Sequence, residues 1–201
     1  DAVLRLFAMV EHGIVDATAS FLEGDRETAR RIVADDALID DLQLRIERLV
    51  QTELDRPVTA RADMRLFVSV LRVVPELERT GDLVEHIALR SQHGLARGLT
   101  PMARRLIGEM GSIAAEMWGL AAGAWRVRST AALPHLRALD DRLDDLHVRL
   151  TEDVARNPVP VAAAIELGLV ARFFERLGDH AVNVTRRIEY LVATGVAPVP
   201  Q

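Results

Sequence analysis

The sequence has 201 residues, of which 49% are hydrophobic and 4% aromatic, with no cysteine and a formal net charge of −5. The lack of cysteine excludes disulfides and thiolate metal sites, and an acidic chain is not typical of nucleic-acid-binding proteins. No leader precedes the first helical pattern and no uncharged run is long enough to cross a bilayer. We therefore expect a soluble cytoplasmic protein that neither inserts into membranes nor binds nucleic acid.

Apolar residues at helical spacing predict three helices in the first half of the chain. They cover, in order, about residues 3–23, residues 26–55, and the stretch from Pro57-Val58-Thr59 to about Gly98. Asp25 is suited to cap the second helix. Pro75 lacks an N–H donor, so a kink is expected within the third.

The second helix carries a coiled-coil-like apolar seam. Ile32, Ile39 and Ile46 recur every seven residues, and Leu42 and Leu49 lie between them. Asp35 interrupts this seam at a position where an apolar residue is expected.

The second half repeats this order of helices. Thr100-Pro101 predicts the start of a fourth helix that runs to about Arg128. Ser129 is expected to cap the fifth helix, which ends at Asn157-Pro158, and the last helix covers about residues 161–193. Short connections favour antiparallel neighbours, so the sequence predicts an all-α fold of two tandem three-helix bundles, residues 1–97 and 98–201.

A short acidic motif occurs once in each half. Glu78-Arg79-Thr80-Gly81-Asp82 is echoed 97 residues later by Glu175-Arg176-Leu177-Gly178-Asp179. A second pair of acids, Asp36 and Asp40, is echoed 104 residues later by Asp140 and Asp144. Residues four apart share one face of a helix, so each pair presents two carboxylates together. Both glycines indicate close helix approach or room for ions beside the acids.

Two adjacent helices of each bundle thus carry four carboxylates, away from the apolar seam. Such groups repel one another unless water separates them or cations join them, and hard divalent ions such as Mg²⁺ or Mn²⁺ take oxygen ligands of this kind. Imidazoles at His180, His147 or His86 would widen the choice to iron or zinc. The alternative interpretation is an ordinary solvated helix face. The candidate metal ligands are Glu175, Asp179, Asp140, Asp144, Glu78, Asp82, Asp36 and Asp40. Trp118 and Trp125, seven residues apart, indicate one packing face.

With these motifs the chain resembles the PhoU family of bacterial phosphate-transport regulators. The resemblance rests on the two E-R-x-G-D copies, on the segment from Gly178 to Val184, and on the segment from Asp36 to Leu42 with its echo from Asp140 to Leu146. It implies tandem three-helix bundles with divalent metal ions on the acidic surfaces. It also implies a non-enzymatic regulator that connects the phosphate ABC importer to a sensor histidine kinase and represses the phosphate-starvation response. A homodimer is one assembly compatible with it.

Two other functions are compatible with a helical bundle. A carboxylate-bridged di-iron enzyme needs two Glu-x-x-His motifs, and the nearest match is Asp144-Asp145-Leu146-His147. A phosphotransfer module would use an exposed acceptor such as His86 or His180, but would give the duplicated acids no role.

Overall fold

The computed structural model describes residues 2–56 and 61–192, which form six α-helices and one short 3₁₀ turn, Leu95–Gly98, with no strand. The predicted all-α class is therefore confirmed. None of the helices within the described ranges has the length and apolar character needed to span a bilayer. The helices are α1 (Ala2–Glu23), α2 (Arg26–Leu54), α3 (Arg61–Ser91), α4 (Pro101–Val127), α5 (Leu133–Arg156) and α6 (Val161–Val192).

Two of the three predicted helix caps are confirmed. The Asp25 carboxylate accepts hydrogen bonds from the backbone N–H groups of Glu27 and Thr28, at 3.0 and 3.2 Å. Thr100 Oγ1 accepts from the backbone N–H of Ala103 at 2.9 Å, ahead of Pro101 at the first helical position. These contacts satisfy donors that the first helical turn cannot pair internally.

The start of α5 and the end of α3 differ from the sequence prediction. Ser129 does not cap α5, because its hydroxyl accepts from the backbone N–H of Ala131 within a turn and the helix begins later. α3 continues through Pro75 but stops at Ser91 rather than at Gly98. Gly94 has a left-handed φ of 69°, which turns the chain before the 3₁₀ segment and ends the helix.

The apolar seam of α2 is rotated relative to the prediction. Ile32, Ile39 and Ile46 are buried as expected, but Leu49 is 62% exposed and Asp35 is also exposed. The second packed column contains Ala29 and Val50. Steps of seven residues along the helix from Ala29 to Val50 pass through Asp36. Asp36 therefore lies on the packed side of the helix, where the sequence pattern placed Asp35.

The six helices form two bundles that share one core. α1 to α3 pack together and α4 to α6 pack together, while α1 also packs on α4 and α3 on α6. Consequently α2 and α5 flank a central layer of four helices, and the buried apolar side chains of both halves form a single cluster. The indole Nε1–H of Trp118 donates to the backbone oxygen of Leu177 at 3.1 Å, and Phe7 packs against both Trp118 and Trp125. The predicted tryptophan packing face is thus confirmed, at the junction of the bundles.

Contacts between α3 and α6 are exchanged between the two halves. Arg90 of α3 pairs with Glu166 of α6 at 2.9 Å and lies over the ring of Phe173. Arg187 is the counterpart of Arg90, 97 residues later, and pairs with Glu76 of α3 at 2.8 Å. Glu76 is in turn the counterpart of Phe173, 97 residues earlier. Matched contacts in both directions are the signature of a twofold-related duplication.

Candidate metal centre

In each bundle, one aspartate of the second helix packs against the motif glycine of the third helix. A Cβ placed on Gly81 would lie 3.2 Å from Asp36 Oδ1 and 3.0 Å from Ile39 Cδ1. A Cβ placed on Gly178 would lie 2.7 Å from Asp140 Oδ1. Each glycine therefore lets a carboxylate of the neighbouring helix approach the backbone, and close helix approach at these glycines is confirmed.

In the first bundle the acids gather around Asp36. Burial, and then the neighbouring carboxylates, raise the pKa of Asp36 to about 6. The carboxylates that act on it are, in order of effect, Glu85, Asp40, Asp82 and Glu78. The four predicted residues of α2 and α3 are thus brought together. Glu85 was not predicted, although it follows Asp82 by three residues and so lies on the same helix face.

The second bundle repeats the arrangement around Asp140. Burial raises its pKa to about 6, with further contributions from nearby carboxylates. Those carboxylates are, in order, Asp179, Asp144, Asp141 and Glu175. Asp36 and Asp140 lie on helix flanks, half-buried between helices, while Asp40, Asp144 and Asp179 are exposed.

Glu175 has a cationic neighbour that the first bundle lacks. Burial raises the pKa of Glu175, and the ion pair that it forms with Arg172 opposes this effect. The position 97 residues before Arg172 is Pro75, so the first bundle has no corresponding cation. Arg172 follows the i,i+3 spacing of helical ion pairs, which is the signal that could have identified it.

The three histidines proposed as extra ligands lie in different places. Burial raises the pKa values of Asp144 and Glu175, and His147 lies within electrostatic reach of both and partly opposes this rise. His180 instead points to α3, where its Nδ1 lies 3.1 Å from Thr80 Oγ1, and it is only 9% exposed. His86 stacks on Phe173 of α6 with ring centroids 5.4 Å apart. His180 is therefore too buried to serve as an accessible phosphate acceptor.

We call the acidic clusters around Asp36–Gly81 and Asp140–Gly178 the acidic grooves. Their carboxylate donors are of the type that suits a hydrated hard cation. Within residues 2–56 and 61–192, no three acidic or imidazole groups converge closely enough to form a preassembled metal site. The donors are carboxylates at half-buried and exposed positions, and Mg²⁺ usually keeps several waters and binds through one or two carboxylates. Burial is the main cause of the raised pKa values of Asp36 and Asp140, and a cation would relieve the repulsion between carboxylates that adds to it.

A cavity of about 250 Å³ beside Asp36 is formed by α1, α2 and α3. Gly13 lines this cavity, and its counterpart in the second bundle, 104 residues later, is Met117. The Met117 methyl group occupies the corresponding space, since it would lie 3.5 Å from a Cβ placed on Gly178. A Cβ on Gly13 would lie 3.0 Å from Val84 Cγ1, whereas the residue corresponding to Val84 is the smaller Ala181. The cavity thus exists where the second bundle is filled by methionine.

Comparisons with known proteins agree with this architecture. A sequence profile of the PhoU domain matches residues 3–91 and again 107–188. "Phosphate-specific transport system accessory protein PhoU homolog 2" of Mycobacterium tuberculosis is 31% identical over 186 residues, covering 90% of this chain and 86% of that protein. "Phosphate-specific transport system accessory protein PhoU homolog" of Rhizobium meliloti is 25% identical over 201 residues, covering 98% of this chain and 84% of that protein.

Two crystal structures share the fold. PhoU from Pseudomonas aeruginosa aligns with a TM-score of 0.87 at 23% identity, over 96% of this chain and 94% of that chain. The phosphate transport system regulatory protein PhoU from Streptococcus pneumoniae aligns with a TM-score of 0.80 at 20% identity, over 100% and 95% of the two chains. At these identities the likeness supports the fold alone.

Proposed function

This chain belongs to the PhoU family, and we propose that it is a divalent-metal-binding accessory protein that restrains phosphate uptake and represses the phosphate-starvation response. The observation that carries the proposal is the same acidic groove built twice, around Asp36–Gly81 and around Asp140–Gly178, in a chain whose relatives are named as phosphate-transport accessory proteins. Catalysis is not part of this proposal.

In this proposal the carboxylates attract the metal ion by charge, and water molecules complete its coordination. Asp140, Asp144, Glu175 and Asp179 would hold one or more hydrated cations in the second bundle, and Asp36, Asp40, Glu78 and Asp82 would do so in the first. The predominance of carboxylate donors favours Mg²⁺ or Mn²⁺ over Zn²⁺, which prefers four direct ligands that include nitrogen or sulfur. In the second bundle Arg172 competes with the metal for Glu175, so the first bundle has the less compensated charge.

The partners in this proposal are the cytoplasmic side of the phosphate ABC importer and a sensor histidine kinase. The chain would connect the two, so that the kinase is held in its repressing state while phosphate is plentiful. Bound cations would convert two strongly negative surfaces into neutral or positive ones. Such a change of charge alters which partner surfaces are complementary.

The metal part is tested by thermal unfolding in chelator and in Mg²⁺ or Mn²⁺. A ligand that binds only the folded state raises the melting temperature with its concentration. Replacing all eight candidate acids by their amides should abolish this rise, whereas Asp145→Asn with Glu189→Gln, at exposed positions on α5 and α6, should retain it. A full metal-dependent rise in the eightfold variant would contradict the assignment.

The regulatory part is tested by gene deletion. Loss of the gene should leave phosphatase and importer genes expressed in high phosphate, and the parent chain should restore repression. The eightfold amide variant should fail to restore it, while the Asp145→Asn, Glu189→Gln control should succeed. Normal repression in a deletion strain that carries no second copy of the gene would contradict the proposed role.

A further inference from the structure

A buried arginine follows α4 at a position that ordinarily suits glycine. Arg128 ends the helix with a left-handed φ of 53° and is 9% exposed. The position 104 residues earlier is Gly24, which ends α1 with a φ of 72°. Because only glycine adopts this conformation without steric cost, a large side chain here needs a compensating role.

Among the residues that the structure describes, no anionic group pairs with the Arg128 guanidinium. Its carbon lies 4.4 Å from the centroid of the Trp125 ring, which forms one face of its surroundings. Within the described residues, Nε and Nη1 are buried and have no hydrogen-bond acceptor. Guanidinium stays charged in proteins and buried donors are almost always paired, so the arrangement is incomplete as it stands.

Arg128 lines a pocket with mainly apolar walls, here called the Arg128 pocket. It has a volume of about 270 Å³ and lies where the start of α1, the second half of α2 and the first half of α3 meet. Its walls include Val3, Val50, Phe67, Val70 and Trp125. Glu53, a carboxylate that also lines the pocket, forms an ion pair with Arg56 at 2.7 Å.

We propose that the Arg128 pocket binds a small organic anion, a carboxylate with an apolar body of about the size of octanoate. The carboxylate would accept charge-assisted hydrogen bonds from Arg128, and its alkyl part would replace water against the apolar walls. At ~30 Å³ for each water-sized group, the pocket volume corresponds to about nine such groups. Inorganic phosphate is a poor fit, because apolar walls cannot replace its hydration. The proposal does not depend on the proposed phosphate function or on the acidic grooves.

The test is titration of the full chain with sodium octanoate, followed by calorimetry and by tryptophan fluorescence. Trp125 under the guanidinium is a built-in reporter. Octanoate should bind saturably, and Arg128→Met should weaken binding about tenfold or more. Arg126→Met, which removes an exposed cation from the last turn of the same helix, should bind as the parent does. Octan-1-ol should bind more weakly than octanoate, and inorganic phosphate should not displace bound octanoate.

A second pair of variants tests the pocket without altering Arg128. Leu49 lines the pocket and is 62% exposed, so Leu49→Glu places a carboxylate at its rim without disturbing the core. This variant should also weaken octanoate binding, whereas Leu44→Glu, on the same helix at 48% exposure, should not. Absence of saturable binding to the parent, equal binding by Arg128→Met or by Leu49→Glu, or octan-1-ol binding as tight as octanoate would each overturn the proposal.

Discussion

The hydroxyl of Thr80 lies 3.1 Å from Nδ1 of His180, so the first copy of the acidic motif touches the residue that directly follows the second copy, across the α3–α6 interface. Thr80 Oγ1 also donates to the backbone oxygen of Glu76 at 2.6 Å. Since a threonine hydroxyl has one proton, Nδ1 must be the donor to Thr80, which assigns the tautomer of the neutral imidazole.

The buried His180 is expected to make stability depend on pH. Burial lowers its pKa in the folded protein. As pH falls below about 6.5, the unfolded chain takes up a proton that the folded chain resists, so the free energy of unfolding decreases. His180→Leu copies Leu83, its counterpart in the first half, and should remove this contribution at a cost of about 1 kcal/mol for the lost hydrogen bond at neutral pH.

Urea unfolding in chelator at several pH values checks this expectation. The difference in unfolding free energy between parent and His180→Leu should shrink as the pH is lowered through the histidine range. A difference that does not change with pH would show that the imidazole is not held neutral by the fold.

The acidic grooves are expected to destabilise the metal-free protein. The pKa of Asp140 is raised to about 6, so between its unfolded and folded pKa values the folded chain binds more protons and stability falls as pH rises. Asp140→Asn should therefore stabilise the metal-free protein near neutral pH by about 1–2 kcal/mol, after allowance for partial solvent screening. At about pH 4 the parent carboxylate is protonated in the fold and the gain should be small.

Denaturant unfolding in chelator measures this effect, with Asp145→Asn on the same helix as the control. The control should change stability by less than ~0.5 kcal/mol. Loss of stability in Asp140→Asn at neutral pH would mean that the ionised carboxylate supports the fold itself.

Two glycines of α6 should respond oppositely to alanine. A Cβ on Gly178 would lie 2.7 Å from Asp140 Oδ1 and 2.8 Å from Leu143 Cδ1, while a Cβ on Gly168 would meet nothing within 4 Å. Gly168→Ala should gain roughly 0.5–1 kcal/mol from helix propensity. Gly178→Ala should instead lose about 1–3 kcal/mol through overpacking. Equal effects on the melting temperature would contradict the close approach.

The cavity beside Gly13 should accept the packing of the second bundle. Gly13→Met alone should destabilise, because its Cβ would lie 3.0 Å from Val84 Cγ1. Adding Val84→Ala reproduces the Met117 and Ala181 pair, so the two changes should be coupled favourably by about 1–2 kcal/mol. A double-mutant cycle of unfolding free energies measures the coupling, and additive effects within ~0.5 kcal/mol would contradict it.

The seam residues provide a test of helix register. Ile39→Ala and Leu143→Ala should each cost about 2–5 kcal/mol, because the two residues are only 7% and 0% exposed. Leu49→Ala, at 62% exposure, should change the unfolding free energy by less than ~0.5 kcal/mol. A large loss of unfolding free energy in Leu49→Ala would show that the apolar seam lies where the sequence pattern indicated.

The sequence alone determined the helices, their order, their duplication and the duplicated acidic pairs. These features depend on short-range spacing. Caps such as Asp25 and Thr100 act within one turn, the apolar period identifies a helix, and two copies of one motif identify the repeat.

Only the tertiary structure decided which side of each helix faces which neighbour. In the sequence, Leu42 and Leu49 favour one rotation of α2, whereas Ile32, Ile39 and Ile46 are compatible with two rotations. Packing against α1 and α3 selected the rotation that places Asp36, rather than Asp35, on the buried side. Contacts between residues far apart in the chain likewise brought His180 to Thr80 and buried Arg128, with no anion beside it among the described residues. A one-dimensional pattern records the period of a helix but not its partners, because burial and pairing depend on groups brought together only by the complete fold.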